Sequence, residues 1–159
     1  MASEIKVDTI FNAGGDNDTG IDLATNDQIL LKVANATKLT MNSTGQTTIV
    51  GEGGSTTTNL QQGLCKMWCQ YDGSGTAELD DSFNCSGITD NGTGDYTLAI
   101  ANDMSNDDYA VSGVHGSMNY QFHSEGAKTT SSCRMELYNS AASAIDPDLA
   151  CLLVHGDLA

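Results

Sequence analysis

The N-terminal third of the chain contains short stretches in which apolar and polar residues alternate with a period of two. Four such stretches cover residues 21–23, 29–33, 39–41 and 47–49. Turn-forming Gly, Asn, Asp and Thr separate them, at intervals of roughly eight to twelve residues. Alternation places successive side chains on opposite faces of a strand, whereas the 3.6-residue period of a helix is almost absent. The pattern predicts short β-strands over residues 12–50.

The same segment is poor in large side chains. Residues 12–50 contain no aromatic residue, and ordering the backbone costs about 1–2 kcal/mol per residue. A single copy of this segment has too few large apolar side chains to form a hydrophobic core. We therefore expect several chains to share one core here, as an intertwined, symmetric β-stalk.

The pattern changes twice after residue 50. Residues 51–63, GEGGSTTTNLQQG, have no periodicity and favour a flexible connector. From residue 64 onwards the strands are longer, as in LCKMWCQYD, and the closing LACLLVHG is nearly all apolar. We expect an all-β fold whose second part, residues 64–159, is an antiparallel, jelly-roll-like β-sandwich of roughly six to eight strands. Its last strand should be central and covered on both faces.

The stretch SFNCSGITDNGTGDYTLAI, residues 82–100, contains two apolar runs on either side of DNGTGD. Asn91-Gly92 can supply the positive φ of a tight turn, and Gly94 relieves the same constraint two residues later. The stretch therefore predicts a β-hairpin, with Phe83 and Cys85 on one face of its first strand.

The chain is strongly acidic, with a net charge of −15 and only 6 Lys and Arg residues. This charge argues against nucleic acid and anionic membranes as partners, because both require clustered basic residues. The carboxylates are scattered, which is typical of a solvated surface. No apolar stretch is long enough to cross a bilayer, and MASEIKVDTI lacks a signal-peptide pattern. We expect synthesis in a cytoplasm and no membrane insertion.

No motif for metal binding or catalysis is complete. The stretch DNDTGID begins like an EF-hand loop with Asp16 and Asp18, but Ile21 replaces the required Gly and Asp27 the required Glu. A nucleophile motif G-x-S-x-G is missing from the sequence. We expect no catalytic residues, no cofactor and no metal site, while a calcium-bound Asp-rich turn stays an open alternative.

The five cysteines are odd in number and have no C-x-x-C spacing. Each lies in an apolar, strand-like run, which favours small buried side chains, and disulfide formation stays open. They are Cys65, Cys69, Cys85, Cys133 and Cys151.

Two parts of the sequence are similar to tail-fibre-like structural proteins of tailed bacteriophages, especially marine ones. The strings DSFN and ITDNGTGDYT, and the closing LLVHG, resemble the distal module of that group. The string GIDLATNDQILLKVANATKLTMNSTGQTTI resembles its N-terminal modules. The resemblance covers nearly the whole chain and implies a virion structural protein that forms a short homotrimeric fibre with an exposed head.

After Met1 and Ala2, the first 11 residues carry four apolar side chains in an otherwise polar stretch. We interpret them either as an anchor to other virion proteins, of the tail or the capsid, or as the first strand of the chain's own sheet. They are Ile5, Val7, Ile10 and Phe11.

Contact with a host-surface glycan or protein is expected from His, Tyr and Asn side chains on loops of the head, since such residues are enriched at interfaces. The candidates are His115, Asn119, Tyr120, His123 and Tyr138. Three other classes stay open: a capsid decoration protein that stabilises the shell, a calcium-dependent adhesin or lectin, and a depolymerase. The lack of a credible acid and base pair argues against the last.

Overall fold

The computed structural model describes residues 6–12, 14, 18–51, 53–116, 121–123 and 128–158, with the backbone alone for 121–123. The chain divides into two compact units, Met1–Gly63 and Leu64–Ala159. Almost all regular structure is antiparallel β, which confirms the all-β prediction. The unit boundary coincides with the predicted start of the second part.

Unit 1 is one antiparallel sheet in which each strand pairs with the next one along the chain. The two-residue turn between the third and fourth strands has positive φ at Ala34 and Asn35, 51° and 57°, which suits a tight hairpin. The strands are β1 Thr9–Phe11, β2 Gly20–Asp22, β3 Ile29–Val33, β4 Ala36–Met41, β5 Thr47–Val50 and β6 Thr57–Asn59.

The predicted flexible connector is wrong for residues 57–63. Strand β6 pairs with β5, and the short helix α1, Leu60–Gly63, follows it. The Gln61 side chain bonds this helix to the start of β5: its Oε1 accepts from Thr47 N at 2.9 Å, and its Nε2 donates to Gly45 O at 2.9 Å. Backbone pairing and one amide side chain therefore order a segment that lacks any apolar periodicity.

Unit 2 is a β-sandwich of two four-stranded sheets, as predicted. The order is β11-β14-β7-β8 in one sheet and β12-β13-β10-β9 in the other. The jelly-roll connectivity stays a prediction. The strands are β7 Met67–Asp72, β8 Glu78–Phe83, β9 Cys85–Gly92, β10 Asp95–Ile100, β11 Ala110–His115, β12 Gln121–His123, β13 Ser132–Tyr138 and β14 Ala150–His155.

The core of unit 2 lies between these sheets and follows the predicted alternation. Fully burying each large apolar side chain contributes about 1.5–3 kcal/mol. Tyr71 and Tyr96 meet at its centre, with ring centroids 5.5 Å apart. The buried side chains are Met67, Cys69, Tyr71, Tyr96, Leu98, Ile100, Met104, Tyr109, Cys133, Met135, Leu137, Ala150, Leu152 and Val154.

Strand β14 is central in its sheet, as predicted, but it is covered on one face only. Ala150, Leu152 and Val154 point into the core, while Leu153 is 40% exposed on the outer face. The prediction of cover on both faces is therefore wrong for the single chain, since the second face has no layer over it.

Phe83 and Cys85 lie on different strands, so the prediction of one shared strand is wrong. Asn84 between them has a φ of 56° and turns the chain from one sheet to the other. Its Nδ2 donates to Lys66 O at 2.9 Å, and its Oδ1 accepts from Asn102 N at 2.7 Å. A residue that tolerates positive φ and satisfies nearby backbone groups thus forms the corner.

The DNGTGD stretch forms the predicted hairpin between β9 and β10. The positive φ values fall on Gly92, 135°, and Gly94, 71°, and not on Asn91. A Cβ at position 94 would lie 2.6 Å from Leu137 O, so the turn requires glycine for space as well as for φ.

Candidate functional site

Unit 1 has one apolar sheet face. The strand register aligns five apolar side chains in a single row across neighbouring strands: Ile10, Ile21, Leu31, Leu39 and Ile49. Directly paired residues point to the same side of a sheet, and so do residues two positions apart on one strand. The second rule and the register add Ile29, Val33 and Met41. We call these eight residues the stalk face.

The stalk face is uncovered. Ile10, Val33 and Ile29 are 52%, 49% and 45% exposed, and within the described part of unit 1 no apolar side chain is buried. An open cavity of about 340 Å³ extends the face at the turn between β2 and β3, next to Leu23 and Met41. A single sheet with a bare apolar face is unstable in water without another layer.

The opposite face of the unit 1 sheet is mixed. Asp22, Leu30, Thr40 and Thr48 lie there in one register row. Lys32 donates to the Asp22 carboxylate and, with Ala24 N–H, holds the pKa of Asp22 below its usual range. The exposed apolar side chains of the sheet are therefore concentrated on the stalk face, and the other face carries the charged and hydroxyl groups beside Leu30.

Two of the four proposed anchor residues belong to a β-strand of unit 1. Ile10 and Phe11 belong to β1 and pair with Ile21 and Gly20, so they form the first strand of the chain's own sheet. Val7 precedes that strand and is exposed, and Ile5 lies outside the described residues. The structure favours the first-strand interpretation for Ile10 and Phe11, while attachment to the particle stays a prediction.

The head carries a second apolar sheet face. Phe83, Trp68 and Leu153 sit side by side on β8, β7 and β14. Val114, on β11, is 67% exposed one register row away. We call these four residues the head face.

A groove of about 260 Å³ opens beside the β9–β10 hairpin. Amide, hydroxyl and carboxylate groups surround it, with one aromatic ring, which suits hydrogen bonding to a polyhydroxylated ligand. Its lining is Asn91, Gly92, Thr93, Gly94, Asp95, Glu136, Tyr138 and Ala144.

Ion pairing and hydrogen bonds order the side chains of the groove. Arg134 Nε donates to Asp95 Oδ1 at 2.7 Å, and this contact holds the pKa of Asp95 below its usual range. Asn91 Nδ2 donates to Asp95 Oδ1 at 3.2 Å and to Thr97 Oγ1 at 2.9 Å. Tyr138 donates its hydroxyl proton to Glu136. The polar groups are thus held in place before any ligand arrives.

Among the predicted host-contact residues whose side chains are described, His115 and Tyr138 lie in different sheets of the head. Tyr138 lines the groove. His115 is not on a loop: it ends β11, pairs with buried Ala150, and burial lowers its pKa. Backbone pairing places His123 opposite Glu136 on β13, whereas Asn119 and Tyr120 lie outside the described residues.

Sequence reasoning missed most of the groove. The sequence pattern identifies Asn91 and Thr93 only as turn residues, and it identifies Glu136 only as one position of an alternating strand. The signal that could have found them is the concentration of polar side chains in DNGTGD, beyond what a two-residue turn needs.

Within the described part of the chain, no cluster of three or more His, Cys, Asp or Glu could hold a metal ion. Asp27 lies in the turn between β2 and β3 with a φ of 60°, and Asp16 is outside the described residues. The calcium alternative therefore gains no support at the turns that are described.

All five cysteines are free thiols. Cys69 and Cys133 are buried, as expected for small core residues, and burial raises the pKa of Cys133 to about 12. A hydrogen bond with Cys69 lowers the pKa of half-buried Cys85 to about 7. The same contact raises the pKa of Cys69, so the two thiols of this pair are shifted in opposite directions.

Comparison of the chain with family models, curated protein sequences and solved structures gives no match. Among the residues described, none of the helices has the length and apolar character needed to cross a membrane.

Proposed function

We propose that the chain is a virion structural protein of a tailed bacteriophage, which forms a short homotrimeric fibre and is not an enzyme. Unit 1 is the stalk and unit 2 the exposed head. The fibre assembles in the host cytoplasm and joins other virion proteins through the region of residues 1–11. The resemblance of the sequence to phage fibre proteins supports the class of protein and the number of chains.

The stalk face is the observation that carries the proposal. Its eight apolar side chains lie on five of the six strands of one sheet, and no described apolar residue of unit 1 is buried. Burying such side chains contributes about 1.5–3 kcal/mol each. Copies of the stalk can supply the missing layer by placing these faces around one axis, so that several chains share one core.

The head groove supports a contact with the host surface. Its polar lining and the Tyr138 ring suit a sugar of a surface glycan, and three heads would combine weak single contacts into useful avidity. In this proposal Tyr138, Glu136 and Asn91 touch the host ligand.

The solution mass of the purified chain tests the fibre, by light scattering or native mass spectrometry. The expected result is a mass of three chains. A stable monomer at all accessible concentrations contradicts the proposal, because the stalk face would then have no partner chain.

Two neighbouring leucines provide a matched pair of variants. Leu31 is exposed on the stalk face, whereas Leu30 is half-buried on the opposite face. If the protein is a monomer, Leu30→Gln should lower the free energy of unfolding more than Leu31→Gln, because Leu30 is the more buried side chain. If the protein is the proposed fibre, Leu31→Gln should shift the solution mass towards a monomer. Leu30→Gln should then leave the mass at three chains. The reverse order would argue against a shared core at the stalk face.

A further inference from the structure

One row of the head face crosses its sheet without a charged residue. This row contains Ser112, Leu153, Trp68 and Phe83 and therefore spans all four strands. The next row runs from Val114 through Cys151 and Gln70 to Asp81 on the edge strand β8, where the neighbouring Asp80 accepts from Gln70 Nε2 at 3.1 Å. An outer row of this composition resembles the inner face of a sandwich more than a solvated sheet.

The head face is large enough to act as part of an interface. Val114 and Phe83 are 67% and 52% exposed, and Leu153 and Trp68 about 40%. Two aromatic and two aliphatic side chains at these exposures offer roughly 400 Å² of apolar surface. One partner in a standard interface buries about 800 Å², so this patch supplies about half of that area and forms the apolar centre of a modest contact.

The charge of the chain favours a second copy as the occupant. A chain with a net charge of −15 repels its copies wherever carboxylates would meet. The row through Trp68 carries no charged residue, and Asp81 in the next row lies on the edge strand. Two copies that meet over Trp68 and Leu153 therefore bring few carboxylates together. Chains already joined by their stalks also hold their heads at a high effective concentration, which makes a modest apolar contact sufficient.

We propose that the heads of the fibre associate with one another through the head face, so that Trp68, Phe83, Val114 and Leu153 are buried between copies. The inference rests on the proposed trimeric fibre and adds a second self-association surface, separate from the stalk face. It leaves the groove, on the other sheet, open to a ligand.

Trp68 reports on this surface directly, since it is the only tryptophan of the chain. The experiment measures Trp emission and acrylamide quenching in the purified full-length protein, at a concentration where its mass is known. Burial between copies should give short-wavelength emission and weak quenching. Because only this chain is present, no other protein can provide the shielding.

Two variants add one carboxylate each. Val114→Asp adds it to the head face. Val114 is 67% exposed in the single chain, so its replacement should not disturb the folding of that chain. Thr89→Asp adds it to an exposed position of β9, in the other sheet. We expect Val114→Asp to shift Trp68 emission to longer wavelength and to raise quenching several-fold, with three chains retained through the stalk. Thr89→Asp should leave both signals as in the parent, and circular dichroism should be unchanged in both variants.

The outcomes separate this inference from the fibre itself. A mass of three chains with Trp68 readily quenched in the parent overturns the head contact and leaves the fibre standing. Trp68 that stays shielded in Val114→Asp also overturns the head contact, because the shield then lies elsewhere. A monomeric parent overturns both proposals.

Discussion

At the scale of single residues, one buried tyrosine joins three distant parts of the head. The Tyr96 hydroxyl lies 2.6 Å from Asp146 Oδ1 and 3.0 Å from Gly73 O. Gly94 N also donates to Asp146 Oδ1, at 2.7 Å. Burial and the Asp146 contact raise the pKa of Tyr96 above its usual range. A Cβ at position 73 would lie 2.4 Å from the hydroxyl oxygen, so glycine makes room for this contact.

Removing this hydroxyl should destabilise the head. Tyr96→Phe removes the hydroxyl that lies between Gly73 O and Asp146, so that Asp146 Oδ1 keeps only the Gly94 N–H of its two partners. This loss in a buried site should lower the free energy of unfolding by about 1–3 kcal/mol. Denaturant unfolding measures the change. The control Tyr138→Phe removes a hydroxyl at a half-buried site and should cost about 0.5 kcal/mol or less. Equal losses in the two variants would show that the Tyr96 contacts add nothing specific.

At the scale of elements, the strands β10 and β13 are joined by side chains as well as by backbone. Arg134 on β13 pairs in register with Thr97, and its guanidinium reaches Asp95 at the start of β10. The pair is partly exposed, with 41% of the Arg134 side chain accessible, so it contributes at most about 1 kcal/mol.

The Asp95–Arg134 pair predicts a pH dependence with a defined sign. Because Arg134 lowers the pKa of Asp95 in the folded state, the stabilisation is complete above the ordinary aspartate pKa of about 3.9 and is lost as the pH falls through the lower folded pKa. The difference in melting temperature between parent and Arg134→Met should therefore shrink from pH 7 to pH 2. In an Asp95→Asn background, Arg134→Met should have the same effect at both pH values; a pH-dependent effect there would point to another acid.

At the scale of the whole molecule, the proposed function depends on assembly as much as on the groove. Each chain would offer one groove, and three grooves on one fibre would give avidity far above the affinity of one. In this proposal the groove and the stalk face contribute to binding in different ways, and variants can separate them.

Binding of labelled protein to host cells should show both contributions. Tyr138→Ala should weaken binding at unchanged mass, while Leu31→Gln should lower apparent affinity roughly 100-fold or more by loss of multivalency. Thr89→Ala, on an exposed strand position outside the groove, should bind as the parent does. If Tyr138→Ala binds as well as the parent, the host contact lies elsewhere on the head.

Much of the head could be predicted from local pattern. Met67, Cys69 and Tyr71 alternate inwards as expected because a strand alternates its faces regardless of its partners. The corner at Asn84 could not be predicted, since its positive φ is stabilised by Lys66 and Asn102, which are distant in sequence.

The candidate site was predicted only in part. Tyr138 was singled out as an aromatic residue, but its neighbours in the groove come from β9, β10 and β13, which meet only through pairing. His115 was expected on a loop, and strand β11 extends through it because it pairs with Ala150.

The sequence by itself determined the all-β class, the boundary near residue 63, the hairpin at DNGTGD and the acidic surface, because period-two alternation, glycine placement and charge are local properties. The tertiary structure decided which strands share a sheet, and therefore that Ile10, Ile21, Leu31, Leu39 and Ile49 form one row and that Trp68, Phe83 and Leu153 form another. Strand register is a long-range property, set by pairing between segments that a local pattern does not connect. Both uncovered faces arise from register, and so does the case for assembly.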